Sequence, residues 1–452
     1  MIPELVVILI GVTTAAVVWL RWNYGRWKKA GIPKYIPNSF PGAPAVGTYH
    51  WRSPVLLLRD IELVKAVTMT EFASFRDNGK HISKKADPIL GRNPFFLEGD
   101  EWKMARKVHT QSHTANKLKT LFGYVDEVSN DLIGYISNNT GKEIELLDFC
   151  SKFTIDNVSS CVFGIKTRSH TERDSEFTTS ALNLFSFNWK WVLQRYAPFV
   201  LNIFRIRLIN PTSISFFYNL VKEMSEMRKK QSLTRPDFLQ ILLDDPRRPS
   251  LMDMTAETLT FLIDGYATSS VEMTYMMYLL AIHPDVQSKL RDEVNSADEL
   301  NFETIHRLPY MEAVFNETLR LYPAAPTLSR KCTSDTVITH KDKKYEFSKG
   351  DIVEIPVYAI HRDPEYFQNP STFDPDRFID NSESIPLLAL GLGPRACVGN
   401  RFARTQIKTG VAKILKRFRV VPATDDHSFP KTTHQNILLY PDDKLFVKFE
   451  NL

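Results

Sequence analysis

The chain has 452 residues, 43% of them hydrophobic and 24% charged, with a net charge of +5. That length and apolar content exclude a disordered or low-complexity chain and allow a large buried core. The mild basic balance fits an anionic membrane surface or an acidic protein partner, and it is too small to imply nucleic acid, for which no motif is present.

In chain order, residues 1–30 read as a membrane anchor. Leu5 to Leu20 carry no charge and are mostly Val, Ile, Leu and Ala, 16 residues in all, just short of a standard span of about 20. Arg21, Arg26, Lys28 and Lys29 follow, and Trp19, Trp22, Tyr24 and Trp27 form the pattern of an interfacial aromatic belt. Positive charge after the apolar run places the bulk of the chain in the cytosol and argues against a cleaved signal peptide. Pro33, Pro37, Pro41 and Pro44 stiffen a linker over 31–50. Residues 51–452 contain no repeat and no Gly-, Ser- or Pro-rich break, so they read as one large, mostly helical domain.

Within that body, Trp102-Lys103-Met104-Ala105-Arg106 puts Trp102 and Arg106 four residues apart on one helix face. Leu184 to Tyr218 is rich in aromatics, including Phe185, Phe187, Trp189, Trp191, Phe199, Phe204, Phe216 and Phe217. A long apolar helix is expected from Thr255 to Ile282, ended by His283-Pro284, and it carries Asp264-Gly265-Tyr266-Ala267-Thr268-Ser269. A helix that long and apolar must cross the core. The Thr268 hydroxyl can bond back to the carbonyl four residues earlier, with Gly265 easing a kink. A second helical run, Met311 to Leu321, stops before Pro323 and holds Glu317 and Arg320 on one face.

The four cysteines, Cys150, Cys161, Cys332 and Cys397, form no CxxC pair and no disulfide framework. One of them stands apart. Leu390-Gly391-Leu392-Gly393-Pro394-Arg395-Ala396-Cys397-Val398-Gly399 delivers a lone Cys on a Gly- and Pro-rich loop, before a helix-like run from Asn400 to Arg417. Backbone N–H groups and the helix end favour a thiolate there. Gly393 and Gly399 allow close approach of a large flat ligand, and Arg395 can pair with an anionic group on it.

This loop resembles the haem-binding signature of the cytochrome P450 superfamily, and three further segments match in the expected order. Glu317-Thr318-Leu319-Arg320 is similar to the ExxR pair, which in the family joins the Arg of a PxRF segment, here Pro375-Asp376-Arg377-Phe378. Those charges support the Cys loop structurally. Trp102, Arg106 and Arg330 match contacts to the haem propionates, and Asp264 to Ser269 resembles the oxygen-activation helix. The resemblance implies a mainly α fold with a smaller β region, a triangular helical prism around a buried haem with an N-terminal anchor helix. It implies haem b (iron protoporphyrin IX) held by the Cys397 thiolate, which favours O–O cleavage, and proton delivery through Thr268. Electrons would come from NADPH through NADPH-cytochrome P450 reductase, with cytochrome b5 as a second donor, docking on Lys103, Lys107, Arg401, Arg404, Lys408 and Lys413. Phe72 to Asp77, His361 to Phe367 and Phe373 to Phe378 resemble the insect microsomal branch. That branch implies the endoplasmic reticulum membrane and a lipophilic substrate (a hormone-like compound, plant toxin or insecticide) under an aromatic lid.

Three departures stand out. Leu390 replaces the usual Phe beside the thiolate. Ala267 replaces the usual acid before Thr268, and Asp264, on the same helix face, is the candidate to replace it. The stretch before Trp51 is abbreviated. Two other activities fit the same residues: a haem-thiolate isomerase or dehydratase that uses no dioxygen, and a degenerate, non-enzymatic haem binder.

Overall fold

The computed structural model describes residues 10–15, 17–18, 26–29, 32, 43–50, 53–172, 175–184, 189–380, 387–435 and 437–452. Most of the anchor expected over 1–30, and Phe185 and Phe187 of the aromatic stretch, lie outside them. Among the described residues no helix is long and apolar enough to cross a membrane. The chain forms two compact units and is mostly helical with small sheets, in line with the expected mainly α class.

The smaller unit comprises Met1–His81, Thr327–Pro356 and Gly391–Ala396. Its main sheet starts at Ala45, inside the stretch read as a linker. Ala45–His50 pairs antiparallel with Ser53–Leu58, which runs parallel to Ile352–Ile355, itself antiparallel to Leu328–Lys331. Alternating apolar residues bury one face and fix the register: Leu56 and Leu58 are buried, as are Val353 and Ile355. Trp27 does not behave as a member of an interfacial belt. It is buried against Gly47, where a Cβ would come within 2.3 Å of its ring, and its indole N–H donates to the Thr48 carbonyl at 2.9 Å. Arg26 likewise pairs with Asp351 instead of facing lipid headgroups. A buried Trp needs its N–H partnered, and the strand Ala45–His50 supplies the carbonyl.

The larger unit comprises Ile82–Pro326, Val357–Leu390 and Cys397–Leu452. Its axis is the long helix Leu251–Ile282, of 32 residues, roughly 48 Å end to end. The helix begins four residues before the expected start because Ser250 caps it, its hydroxyl accepting from the Asp253 N–H at 3.2 Å. His283-Pro284 ends it as expected. From Ser269 to Ala281 every residue is buried, so apolar packing on all sides fixes the helix, each fully buried large side chain contributing about 1.5–3 kcal/mol. The helix Leu146–Val162 packs along it so closely that a Cβ on Gly265 would stand 3.1 Å from Val158. That close approach is what Gly265 permits. Two further helices complete the frame: the ExxR helix Pro309–Leu321 and the post-cysteine helix Asn400–Leu415.

Candidate active site

The cysteine loop is set by two glycines in the left-handed region, Gly391 at φ +73 and Gly393 at φ +70. Gly393 has a second constraint. A Cβ there would lie 2.0 Å from the Thr68 carbonyl oxygen, so the residue is glycine for packing within the smaller unit. Arg395 also has protein partners in that unit: Nε donates to the Arg76 carbonyl at 2.8 Å and Nη2 reaches Asp77 at 3.4 Å. The Cys397 N–H donates to the Leu390 carbonyl at 2.8 Å, and Gly399 then caps the post-cysteine helix. A Cβ on Gly399 would sit 4.0 Å from the Cys397 Sγ and meet nothing nearer. Glycine therefore keeps that flank of the sulfur clear.

Cys397 and Asp264 are both open to a water-sized molecule, yet burial dominates the acidity of each. The Cys397 thiol is pushed up by burial and by the Asp264 charge. The Gly399 N–H, Arg106 and Arg404 pull it down without prevailing. The backbone and helix end therefore do not make a thiolate unaided, and a coordinated metal removes that proton outright. Asp264 is raised to about 6 by burial, with Asn93 and His109 opposing. Accessible side chains that nonetheless behave as buried line a deep recess. Arg106 belongs to the same surroundings: burial lowers its pKa and the Cys397 charge raises it. Trp102, one turn earlier on the helix Gly99–Ser112, is buried.

On the long helix, the Thr268 hydroxyl donates to the Asp264 carbonyl at 2.7 Å, the back-bond expected from sequence. Ala267 is buried and offers no acid. The Asp264 carboxylate accepts from Asn93 Nδ2 at 3.1 and 3.3 Å. The next carbonyl, that of Gly265, accepts from Gln406 Nε2 at 2.9 Å. Neither Asn93 nor Gln406 was legible as a site residue, since each acts across more than 100 residues of chain.

The ExxR set forms as expected. Arg320 holds Glu317 through Nε at 2.7 Å and Nη2 at 2.8 Å, both side chains fully buried, and Arg377 Nε reaches Glu317 at 3.3 Å. Arg320 Nη1 donates to the carbonyls of His361 and Pro370, each at 2.8 Å. His361, quoted in sequence only as a mark of the branch, closes the link toward the cysteine loop. Its Nε2 accepts from the Leu388 N–H at 2.8 Å, and its Nδ1 therefore donates to the Arg320 carbonyl at 3.1 Å.

Three of the six cations expected to dock an electron donor are otherwise engaged. Lys408 is fully buried and pairs with Glu312. Arg404 also holds Glu312, at 2.9 Å, and Lys413 holds Asp126 at 2.6 Å. Lys103, Lys107 and Arg401 are exposed. Positions 404 and 408 lie one turn apart on the face of the post-cysteine helix that meets Glu312 of the ExxR helix.

These residues fit a haem. Among the described residues no three His, Cys, Asp or Glu side chains converge to hold a bare metal ion. Cys397 can thus be only one ligand to a metal that brings its other ligands with it. Arg330, in the smaller unit, is buried, with Nη1 on Asn78 Oδ1 at 3.0 Å and on the Ser329 carbonyl at 2.8 Å. Its Nε has no protein partner, and burial alone lowers its pKa to about 10. A buried guanidinium in that state is completed by an anionic group such as a propionate.

Comparison with known proteins agrees. The cytochrome P450 family profile matches residues 24–449. Cytochrome P450 9e2 of Blattella germanica is 31% identical, the match covering 85% of this chain and 81% of the relative. Cytochrome P450 6A1 of Musca domestica is 29% identical over 89% of each chain. Cytochrome P450 6a2 of Drosophila melanogaster is 29% identical over 92% of this chain and 93% of its own. Family match and site residues lead to one conclusion: this chain belongs to the cytochrome P450 family and is a haem-thiolate monooxygenase.

Proposed function

We propose that this chain inserts one oxygen atom from dioxygen into a lipophilic small molecule, using electrons passed from NADPH by NADPH-cytochrome P450 reductase at the endoplasmic reticulum membrane. The observation that carries the reading is the placement of Asp264 near Cys397 in one recess, close enough for its charge to push the thiol's pKa up. Bound haem with a thiolate ligand supplies dioxygen activation. The chain's own residues do the rest. Cys397 would hold the haem iron, and Trp102, Arg106, Arg330 and Arg395 would pair with the haem carboxylates. Glu317, Arg320 and Arg377 brace the loop that presents the sulfur.

Thr268 gives its proton to the Asp264 carbonyl and so turns its oxygen lone pairs to the recess. Asp264, with a pKa of about 6, passes between neutral and charged forms close to neutral pH. It is the proton donor that Ala267 cannot be. The exposed Trp189, Val192, Phe199, Ile203 and Phe204 of the aromatic stretch support a lipophilic substrate. The apolar run Leu5 to Leu20, ahead of the folded Arg26 and Trp27, supplies the membrane anchor, and Lys103, Lys107 and Arg401 meet the reductase.

The test is reconstitution with a reductase and a panel of lipophilic compounds. Product formation that requires both NADPH and dioxygen is the expected result. Turnover without either one would instead make the chain an isomerase or dehydratase.

A further inference from the structure

Behind the turn of the long helix that carries Thr268, three side chains on two helices hold buried polar atoms with no protein partner. Both carboxyl oxygens of Glu272 are unpaired, and the residue is 3% exposed. Gln406, fully buried on the post-cysteine helix, donates to the Gly265 carbonyl at 2.9 Å and to Ser269 Oγ at 2.8 Å, while its Oε1 is unpaired. Arg404 commits Nε to Glu312 at 2.9 Å and Nη2 to Asn316 at 3.1 Å, and its Nη1 is unpaired. Gly265, Ser269 and Glu272 fall on one stripe of the long helix. Glu272 thus stands one turn beyond the two groups that Gln406 grips.

An unpaired buried polar atom costs about 1–3 kcal/mol, and more when charged. The neighbours of Glu272 in the chain, Val271 and Met273, are buried and apolar. Ordered water is the ordinary occupant of such a polar cluster in a packed interior. We propose that Glu272, Gln406 and Arg404 enclose an internal water-binding site, and that Glu272, through water and Gln406, positions the Gly265–Ser269 turn bearing Thr268.

Burial holds the Glu272 carboxyl well above the usual carboxylate range, against the Arg404 charge. The other ionisable groups around it are few. Glu312 of the ExxR helix pairs with Arg404 and Lys408, and Tyr275, on the same helix as Glu272, is itself raised by burial. Burial thus biases Glu272 toward the neutral acid, which has an O–H to donate. Through water that O–H satisfies Gln406 Oε1, which keeps the amide N–H groups on Gly265 and Ser269. Ionised, Glu272 only accepts. The Gln406 amide then gains by turning its N–H groups to the carboxylate, and the turn around Thr268 loses its donor. Glu272 is a positioning residue in this scheme. The positioning role rests on the monooxygenase reading; the water site does not.

The test uses the haem-loaded full chain with Glu272→Gln and Glu272→Leu. Infrared spectra in light and heavy water at neutral pH should show an exchangeable neutral-acid carbonyl band that both variants lack. Product formed per NADPH should fall in the native protein as the pH turns alkaline and stay level over that range in Glu272→Gln. It should be several-fold lower at every pH in Glu272→Leu at equal haem content. If Glu272→Leu does not fold, the pH profile of Glu272→Gln decides: a profile that still falls like the native one overturns the positioning role. Absence of the band, or a folded Glu272→Leu that couples like the native protein, overturns the proposal. Should no substrate be oxidised at all, the infrared band alone decides for or against the water site, which separates its failure from failure of the monooxygenase reading.

Discussion

His361 accepts a hydrogen bond from the Leu388 backbone N–H at 2.8 Å, and through its other ring nitrogen it is tied to the Arg320 carbonyl. One neutral imidazole thereby joins the ExxR helix to the strand of chain that enters the cysteine loop two residues later. Burial lowers its pKa to about 3. Protonation would replace the acceptor that Leu388 needs with a donor. An unfolded His titrates near 6.5 and the folded one near 3, so the unfolded state binds more protons throughout that interval. Stability contributed by this residue is thus intact above pH 6.5 and falls as pH is lowered, by about 1.4 kcal/mol per pH unit. His113 and His170, both lowered to about 4 by burial, act in the same direction. Denaturant titrations between pH 7 and 4 should show this decline, and His361→Gln should make it shallower. An equal slope in that variant contradicts the assignment.

Asp264 behaves in the opposite sense. Its folded pKa, about 6, lies above the ordinary carboxyl value of 3.8. The folded state then binds the extra proton between those values, so this residue destabilises the fold above pH 6 and ceases to do so below pH 4. Asp264→Asn should raise thermal stability at pH 7.5, with the gain vanishing on acidification. Asp264→Ala should lower product formed per NADPH severalfold, with peroxide accounting for the difference. If coupling is unchanged in Asp264→Ala, the carboxyl has no part in proton delivery.

Arg330 separates folding from haem retention. Its guanidinium is buried with Nε unpartnered. Replacement of an incompletely paired buried charge by an apolar side chain of similar size is often neutral or stabilising, by about 1–4 kcal/mol. Arg330→Met should leave the haem-free protein no less stable than the native chain, yet release haem to apomyoglobin faster. Native haem retention in that variant would remove Arg330 from the haem site.

The exposed cations carry a different expectation. Lys103→Glu with Lys107→Glu should raise KM for a reductase several-fold at low salt, and the difference should shrink as salt screens it. Lys408→Glu should fail by losing the fold, because its ammonium is buried on Glu312. A salt-independent KM in the double variant would place the reductase elsewhere.

Much of this site was readable from the chain because its signals are local. His283-Pro284 and an apolar run mark the long helix, though not its Ser250 cap. A Gly- and Pro-rich run marks the cysteine loop, and three-residue spacing marks the Glu317–Arg320 pair. What escaped reading depends on partners distant in sequence. Lys408 looked like an ordinary surface cation until the ExxR helix brought Glu312 beneath it. Trp27 looked like a membrane-belt residue because Gly47 and Thr48, which receive it, give no sign of doing so. His361, Asn93 and Gln406 are common polar residues whose function exists only in their tertiary contacts. Gly393 was legible as necessary, but not the Thr68 carbonyl that also takes up the space of its Cβ.

The sulfur of Cys397 bears the whole account, and a single optical measurement on purified protein examines it. Reduced protein with carbon monoxide should give the red-shifted Soret band of a thiolate-ligated haem, and Cys397→Ser should abolish that band. A native protein without the shifted band, or a Cys397→Ser variant that retains it, contradicts the assignment of this residue as the iron ligand.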